Sequence, residues 1–230
     1  MRSIRRLATG LALAATVASA LLTALAPAAR AQDGRLFKNA WFWGAKAGNM
    51  TYWTYTTRHG QAPVFGGEWL ITRTRGALYV SMDQAFFNGT TSFFDPEDVT
   101  DNYYRVVDIK NMRRVTFAAM AFPGTLGNAA AIRPYAGVGF TMNFIQEARP
   151  RGTYPSSADL RYVAERLDDE KSRAAPIAMV GLQLQLLRFS VFGQGSYMPA
   201  QDRFLLNNNE TYFIETGVRW NIGSSIERPQ

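Results

Sequence analysis

Tyr135-Ala136-Gly137-Val138-Gly139-Phe140-Thr141-Met142-Asn143-Phe144 alternates without a break. Ala136, Val138, Phe140, Met142 and Phe144 form one series; Tyr135, Gly137, Gly139, Thr141 and Asn143 form the other. Period two over that length specifies a strand with two unlike faces. The small and polar series is too weak to fill a soluble core, while the apolar series is continuous. A sheet that is oily outside and polar inside is what a closed barrel in lipid requires.

Working outward, the same alternation recurs in about eight segments. The first runs from about Ala40 to Tyr55, with Trp41, Trp43, Ala45 and Ala47 opposed to Phe42, Gly44, Lys46 and Gly48. In the second, about Pro63 to Thr74, Phe65, Trp69 and Ile71 point out and Glu68 in. After Arg75-Gly76 the third, about Ala77 to Asn88, sets Leu78, Val80, Met82 and Phe86 against Tyr79, Ser81 and Asp83. In the fourth, Val115, Phe117, Ala119 and Ala121 share a face; the charged stretch 108–114 upstream is either the strand continuing beyond the bilayer, with a bulge, or a loop. The fifth spans about Ile132 to Gln146, the sixth about Pro176 to Leu187, the seventh ends near Pro199 and the eighth covers about Thr211 to Ile222. Connections after the even strands read as short turns and those after the odd strands as longer polar loops, the layout of an outer-membrane barrel.

The N-terminus reads as an export signal. Arg2, Arg5 and Arg6 precede an Ala-rich apolar stretch, and Ala29-Arg30-Ala31 offers a cleavage site. The alternative is a retained membrane helix. Removing 31 of 230 residues leaves 199, and the net charge falls from +7 to +3 because four arginines and no acid leave. That modest charge, without a basic run interleaved with aromatics, argues against nucleic-acid binding. Cysteine is absent, which excludes thiol catalysis and cysteine metal sites. The organisation expected is a signal at 1–31, a periplasmic segment at 32–38, the barrel at 39–222 and a tail at 223–230.

Glu215-Thr216-Gly217-Val218-Arg219-Trp220-Asn221-Ile222 resembles the C-terminal assembly signal of bacterial outer-membrane proteins, with Glu215, Gly217, Trp220 and Ile222 at its polar, glycine, aromatic and final apolar places. Arg133-Pro134-Tyr135-Ala136-Gly137-Val138-Gly139 is similar to a strand opening in small OmpA/OmpX-type and OmpW-like barrels. The resemblance implies an all-β, transmembrane, antiparallel up-and-down barrel of about eight strands in the bacterial outer membrane, with outer-membrane lipid and the barrel-assembly machinery as partners. The chain departs from the pattern in continuing for eight residues, Gly223 to Gln230, beyond it.

With faces assigned this way, Lys46, Glu68, Asp83, Glu215 and Arg219 point into the lumen, and Asp108, Lys110 and Arg114 fall nearer the outer mouth. Lys46 and Glu215 lie on strands that meet at closure. Buried charges must pair, so the set is either a gated ion path or a polar plug; eight strands leave room only for side chains and some water. Inner-face glycines make room for water or let large neighbours fold across. Trp41, Trp43, Trp69 and Trp220, near strand ends, fit interfacial girdles.

Chemistry finds little purchase. His59 is the single histidine, without a nucleophile and acid arranged around it, so no enzyme and no cofactor are expected. Asp95, Glu97, Asp98 and Asp101 lack an EF-hand pattern. Ser157 to Lys171 carries Leu160, Val163, Ala164 and Leu167 at helical spacing, with Ser157 as the cap. The functions these features admit are a structural or small porin-like envelope protein whose loops meet solutes or surface ligands, an OmpW-like binder or conduit for small hydrophobic molecules, and a soluble exported lipocalin-like barrel.

Overall fold

A computed structural model describes residues 37–57, 59–95, 104–124, 132–154, 156–186, 188–201, 203–206 and 209–224. The expected signal and the end of the tail lie outside these residues. Eight strands follow one another: β1 (Ala40–Tyr52), β2 (Gly60–Thr72), β3 (Gly76–Phe94), β4 (Tyr104–Ala121), β5 (Ile132–Pro150), β6 (Ser172–Leu186), β7 (Phe189–Met198) and β8 (Thr211–Ser224). Each pairs antiparallel with the next, and β8 returns to β1, so the sheet closes. One helix, α1 (Ser157–Glu170), interrupts the β5–β6 connection.

The outer face decides the solvent. Trp43, Phe65, Leu78, Met82, Val138, Phe140, Val180, Ile214 and Val218 are all exposed, Ile214 by 74%. On β5 the outward apolar series runs from Ala136 to Phe144. Nine residues on a strand tilted about 40° rise roughly 23 Å, close to the ~25 Å apolar band of a membrane barrel. The soluble lipocalin-like alternative needs the opposite polarity. Trp69 faces Trp43, Trp43 faces Trp220 and Trp220 faces Phe189, an aromatic row across β2, β1, β8 and β7. Phe65 with Phe86, and Tyr197 with Tyr212, form ring contacts nearer the other rim.

At 19, 18 and 19 residues, β3, β4 and β5 are far longer than the 13 of β1 and β2. A 19-residue strand is about 60 Å long, so this side of the wall stands well clear of the bilayer. Stretch 108–114 is therefore strand, not loop. Its register shifts between Ala85 and Asn88, opposite Asn111 at φ 55°. Left-handed backbone suits Asn, and the bulge moves the inward face of β4 from Met112, Arg114 and Thr116 to Ile109 and Val107. Arg114, in phase with Thr116, points into the lumen, not toward the mouth, while the shifted phase leaves Asp108 and Lys110 on the exterior, half-exposed.

Several strands run past the expected ends because polarity inverts at the bilayer edge while the alternation continues. On β1, Lys46 and Gly48 face in below that edge; above it Met50 and Tyr52 face in, with Asn49 and Thr51 outward. Val64, Ala62, Ala85 and Phe87 are likewise inward and buried. At the other end β8 reaches Ser224, two residues beyond Ile222, by pairing with Ala40 across a register shift at Trp41/Phe42.

The lumen is thus three-tiered instead of polar throughout. The outer cluster joins Met50, Val64, Phe87, Ile109, Ile145, Met198 and Phe213 under a roof of Val163 and Leu167 from α1 and Phe204, Leu205 and Leu206 from the β7–β8 connection. The inner cluster joins Phe42, Leu70, Tyr79, Met120, Tyr135 and Met179 with Phe37 and Phe122. Phe37, expected in a periplasmic segment, folds into the inner mouth with its ring centroid 4.7 Å from that of Phe122. The β4–β5 connection, 122–131, is longer than the β1–β2 loop, 53–59, against the expected parity. The connections after β2 and β6 are short, at 73–75 and 187–188.

The cap of α1 is Ser156, one residue before the expected Ser157; its Oγ accepts from Asp159 N. Val163, Leu167 and Glu170 form its buried side, whereas Leu160 and Ala164 face solvent. Burial raises the Glu170 carboxyl above its ordinary 4.5, although the Arg166 guanidinium 3.0 Å away opposes the shift. A raised carboxyl contributes stability that is full below its unfolded value and is lost as pH rises through the folded one. Protease protection of 157–170 in the intact barrel is therefore expected to be greater near pH 4.5 than at pH 8. Glu170→Gln should flatten that difference.

Candidate functional site: the lumenal charge belt

Between the apolar tiers lie six buried charged groups: Lys46, Arg114 and Arg219 against Glu68, Asp83 and Glu215. Three cations meet three carboxylates, so the formal charges cancel. Lys46 Nζ stands 3.0 Å from both Asp83 Oδ1 and Glu215 Oε1, and donates to Tyr79 OH at 2.9 Å. Arg114 donates to Asp83 Oδ2 from Nε at 2.9 Å and Nη2 at 2.6 Å, and from Nη2 to Glu215 Oε1 at 2.8 Å. Around an eight-stranded ring β4 and β8 are diametrically opposite. The Arg114–Glu215 bridge therefore crosses the lumen.

A separate pair lies beside this cluster of four. Arg219 Nε donates to Glu68 Oε1, and its Nη1 donates to Gln183 Oε1 at 2.6 Å. Tyr79 OH donates to Glu68 Oε2 at 3.1 Å and so couples the pair to the cluster. Gln194 links Tyr135 OH, at 3.1 Å, to Glu215 Oε2, at 3.3 Å. Both arginines lie over inward aromatic rings, Arg114 3.7 Å from the centroid of Phe213 and Arg219 3.8 Å from that of Phe192. Cation–π contact in a desolvated site adds about 2 kcal/mol or more.

Space for these side chains comes from glycines on the neighbouring strand. Gly44 faces Glu68, Gly66 faces Asp83 and Gly48 faces Glu215. A Cβ at Gly48 would sit 2.8 Å from Glu215 Cα, and one at Gly44 2.9 Å from Glu68 Cγ. Each lumenal carboxylate thus occupies the volume a neighbour's side chain would need, the large–small alternation of a filled core. The inner-face glycines make room for large neighbours.

All five belt residues named from sequence lie in this lumen. Arg114 was misplaced, although the outward series Val115, Phe117 and Ala119 already implied an inward Arg114 by parity. Of the assembly-signal residues, Glu215 belongs to the belt; Gly217 lies beneath Phe192, whose ring a Cβ would meet at 2.7 Å; Trp220 and Ile222 are exposed outward. Trp41, Trp43, Trp69 and Trp220 all face outward. His59 packs on Trp53 in the first loop, centroids 5.0 Å apart. Of the loop acids, Asp95 pairs with Arg105 at 3.0 Å; Glu97, Asp98 and Asp101 lie outside the described residues.

Among solved structures the chain is similar to Neisserial surface protein A (NspA), with a TM-score of 0.53 and 10% identity over 79% of this chain and 97% of that one. It is also similar to Ail, the attachment invasion locus protein of Yersinia pestis, solved with the heparin analogue sucrose octasulfate, at a TM-score of 0.43 and 12% identity over 80% and 99% of the two chains. No family model matches the chain, and no curated protein matches it in sequence. The fold is that of a small OmpA/OmpX-type outer-membrane barrel. An even number of antiparallel strands with an oily exterior is the form in which a chain spans the bacterial outer membrane.

Proposed function

We propose that this protein is a closed, non-conducting envelope barrel that anchors an extended surface wall, β3–β4–β5 with α1, in the outer membrane for contact with surface ligands. The observation that carries the reading is the Arg114–Glu215 bridge across the lumenal diameter, with apolar clusters above and below it. An ion entering this path would have to part a neutral, hydrogen-bonded belt and two greasy tiers. No catalytic step belongs to this reading. It also takes β8 as the element received by the barrel-assembly machinery, with Trp220 and Ile222 as its outward apolar contacts.

Planar-bilayer recording of the purified full chain tests the closure. Insertion without unitary current steps is the expected result, and reproducible steps from the unmodified protein would defeat it. One second reading has an observation behind it. The outer tier is an apolar cup roofed by α1 and residues 204–206, which favours a small hydrophobic ligand beneath that roof. Retention of a brominated alkane by the purified chain in native mass spectrometry, abolished by Met198→Glu, would select this second reading.

A further inference from the structure

Two depressions lie on the outside of the barrel, the lower across β1 to β4 and the upper across β3 to β5. The lower, about 660 Å³, is apolar, walled by Trp43, Phe65, Trp69 and Met82. Gly67 opens its floor; a Cβ there would meet nothing nearer than Gly44 O at 3.7 Å. Gln84 and Arg113 form part of its rim. The upper, about 590 Å³, is lined by Lys110, Arg149 and Arg151 with Asp108 and Glu147.

Arg113 lines the lower depression at its upper end, and the Gln84–Gln146 hydrogen bond, 3.0 Å, lies between the two. On β4 Arg113 is the first outward charge after Phe117 and Val115, and it faces Phe144, where the outward apolar series of β5 ends. It therefore stands at the edge of the hydrocarbon band, where headgroups begin. From there upward Arg113, Lys110, Arg149 and Arg151 outnumber Glu147 and Asp108 four to two. Glu147 is shared by Lys110 and Arg149, 3.3 and 3.2 Å away, and Asp108 pairs with Arg151 at 3.4 Å, so the surplus is Arg113 and one charge of the Lys110–Arg149 pair. An apolar groove below a surplus of two positive charges is complementary to an amphiphile with an anionic head.

We propose that this face docks an outer-leaflet lipid with a phosphorylated headgroup. One acyl chain lies over Gly67 between the Trp43–Trp69 pair and Met82, and the phosphates meet Arg113, Lys110, Arg149 and Arg151 through charge-assisted hydrogen bonds. The proposal rests on the membrane-spanning reading with the long strands outward. It is independent of whether the lumen conducts.

Native mass spectrometry of the full chain in detergent tests it, with bis-phosphorylated lipid A, phosphatidylethanolamine and inorganic phosphate as probes. The wild type should retain lipid A at least about tenfold more tightly than the K110Q/R113Q/R149Q/R151Q variant. Gly67→Trp, which fills the groove and leaves every charge in place, should weaken retention similarly. Millimolar inorganic phosphate should not displace the lipid. Equal retention by both variants, equal retention of phosphatidylethanolamine, or displacement by free phosphate overturns the proposal. Heat-modifiable migration in all variants keeps the outcomes separate: its absence in the wild type defeats the membrane reading, whereas its presence without lipid discrimination defeats this proposal alone.

Discussion

Asp83→Asn is expected to lower the unfolding free energy of the barrel by about 3–5 kcal/mol, the cost of leaving a buried charge uncompensated. The wild-type carboxylate accepts from Lys46 and twice from Arg114. Its neutral replacement leaves those two cations sharing Glu215 in a lumen with a net charge of one. The amide also presents a donor where two cationic donors already point. Urea unfolding in phospholipid vesicles, followed by Trp fluorescence and gel mobility, gives the number. Adding Lys46→Met restores neutrality and should recover a large share of the loss, a coupling that a double-mutant cycle isolates. Glu147→Gln serves as contrast, because its partner Lys110 is half-exposed and such surface pairs contribute about 0–1 kcal/mol. Should Asp83→Asn cost no more than Glu147→Gln, water reaches the belt freely and the closed reading fails.

The second large effect separates two adjacent glycines. Gly66→Val places a Cβ against the Asp83 carboxylate and 2.5 Å from Met82 O, so backbone and belt must both give way. Overpacking of this kind costs about 1–3 kcal/mol, occasionally more, and displacing Asp83 adds part of the penalty just described. The expected loss is about 3 kcal/mol or more, or no folded band at all. Gly67→Val, one residue on, faces outward into open space and should lie within about 0.5 kcal/mol of wild type. Similar losses at both positions would mean that the faces of β2 are assigned wrongly.

The architecture was legible where one rule held for a whole strand. On β5 the outward series from Ala136 to Phe144 is unbroken. Reading was weakest where the solvent changes along a strand. Met50, Val64 and Phe87 are inward apolar residues above the bilayer edge, so a rule that sends oily residues outward stops at that edge and shortens the strand. At Asn111 a single left-handed residue resets parity, and a dense run of charges around it hides the reset. Arg114 was lost to that run even though its parity with Thr116 and Ala118 was intact. The belt carboxylates were visible as inward acids. Their glycine partners were visible too, but register alone sets Gly44, Gly66 and Gly48 opposite Glu68, Asp83 and Glu215. Pairing across strands is a long-range property, and the alternation within one strand does not contain it.

The diametric bridge also has a consequence for the order of events during biogenesis. Lys46, Glu68, Asp83 and Arg114 all belong to the first four strands, while Glu215 and Arg219 arrive together on the last. Each instalment sums to zero. Neither the first four strands nor β8 therefore adds a surplus charge to the lumen, and the latch across the cylinder exists only once its final stave is paired.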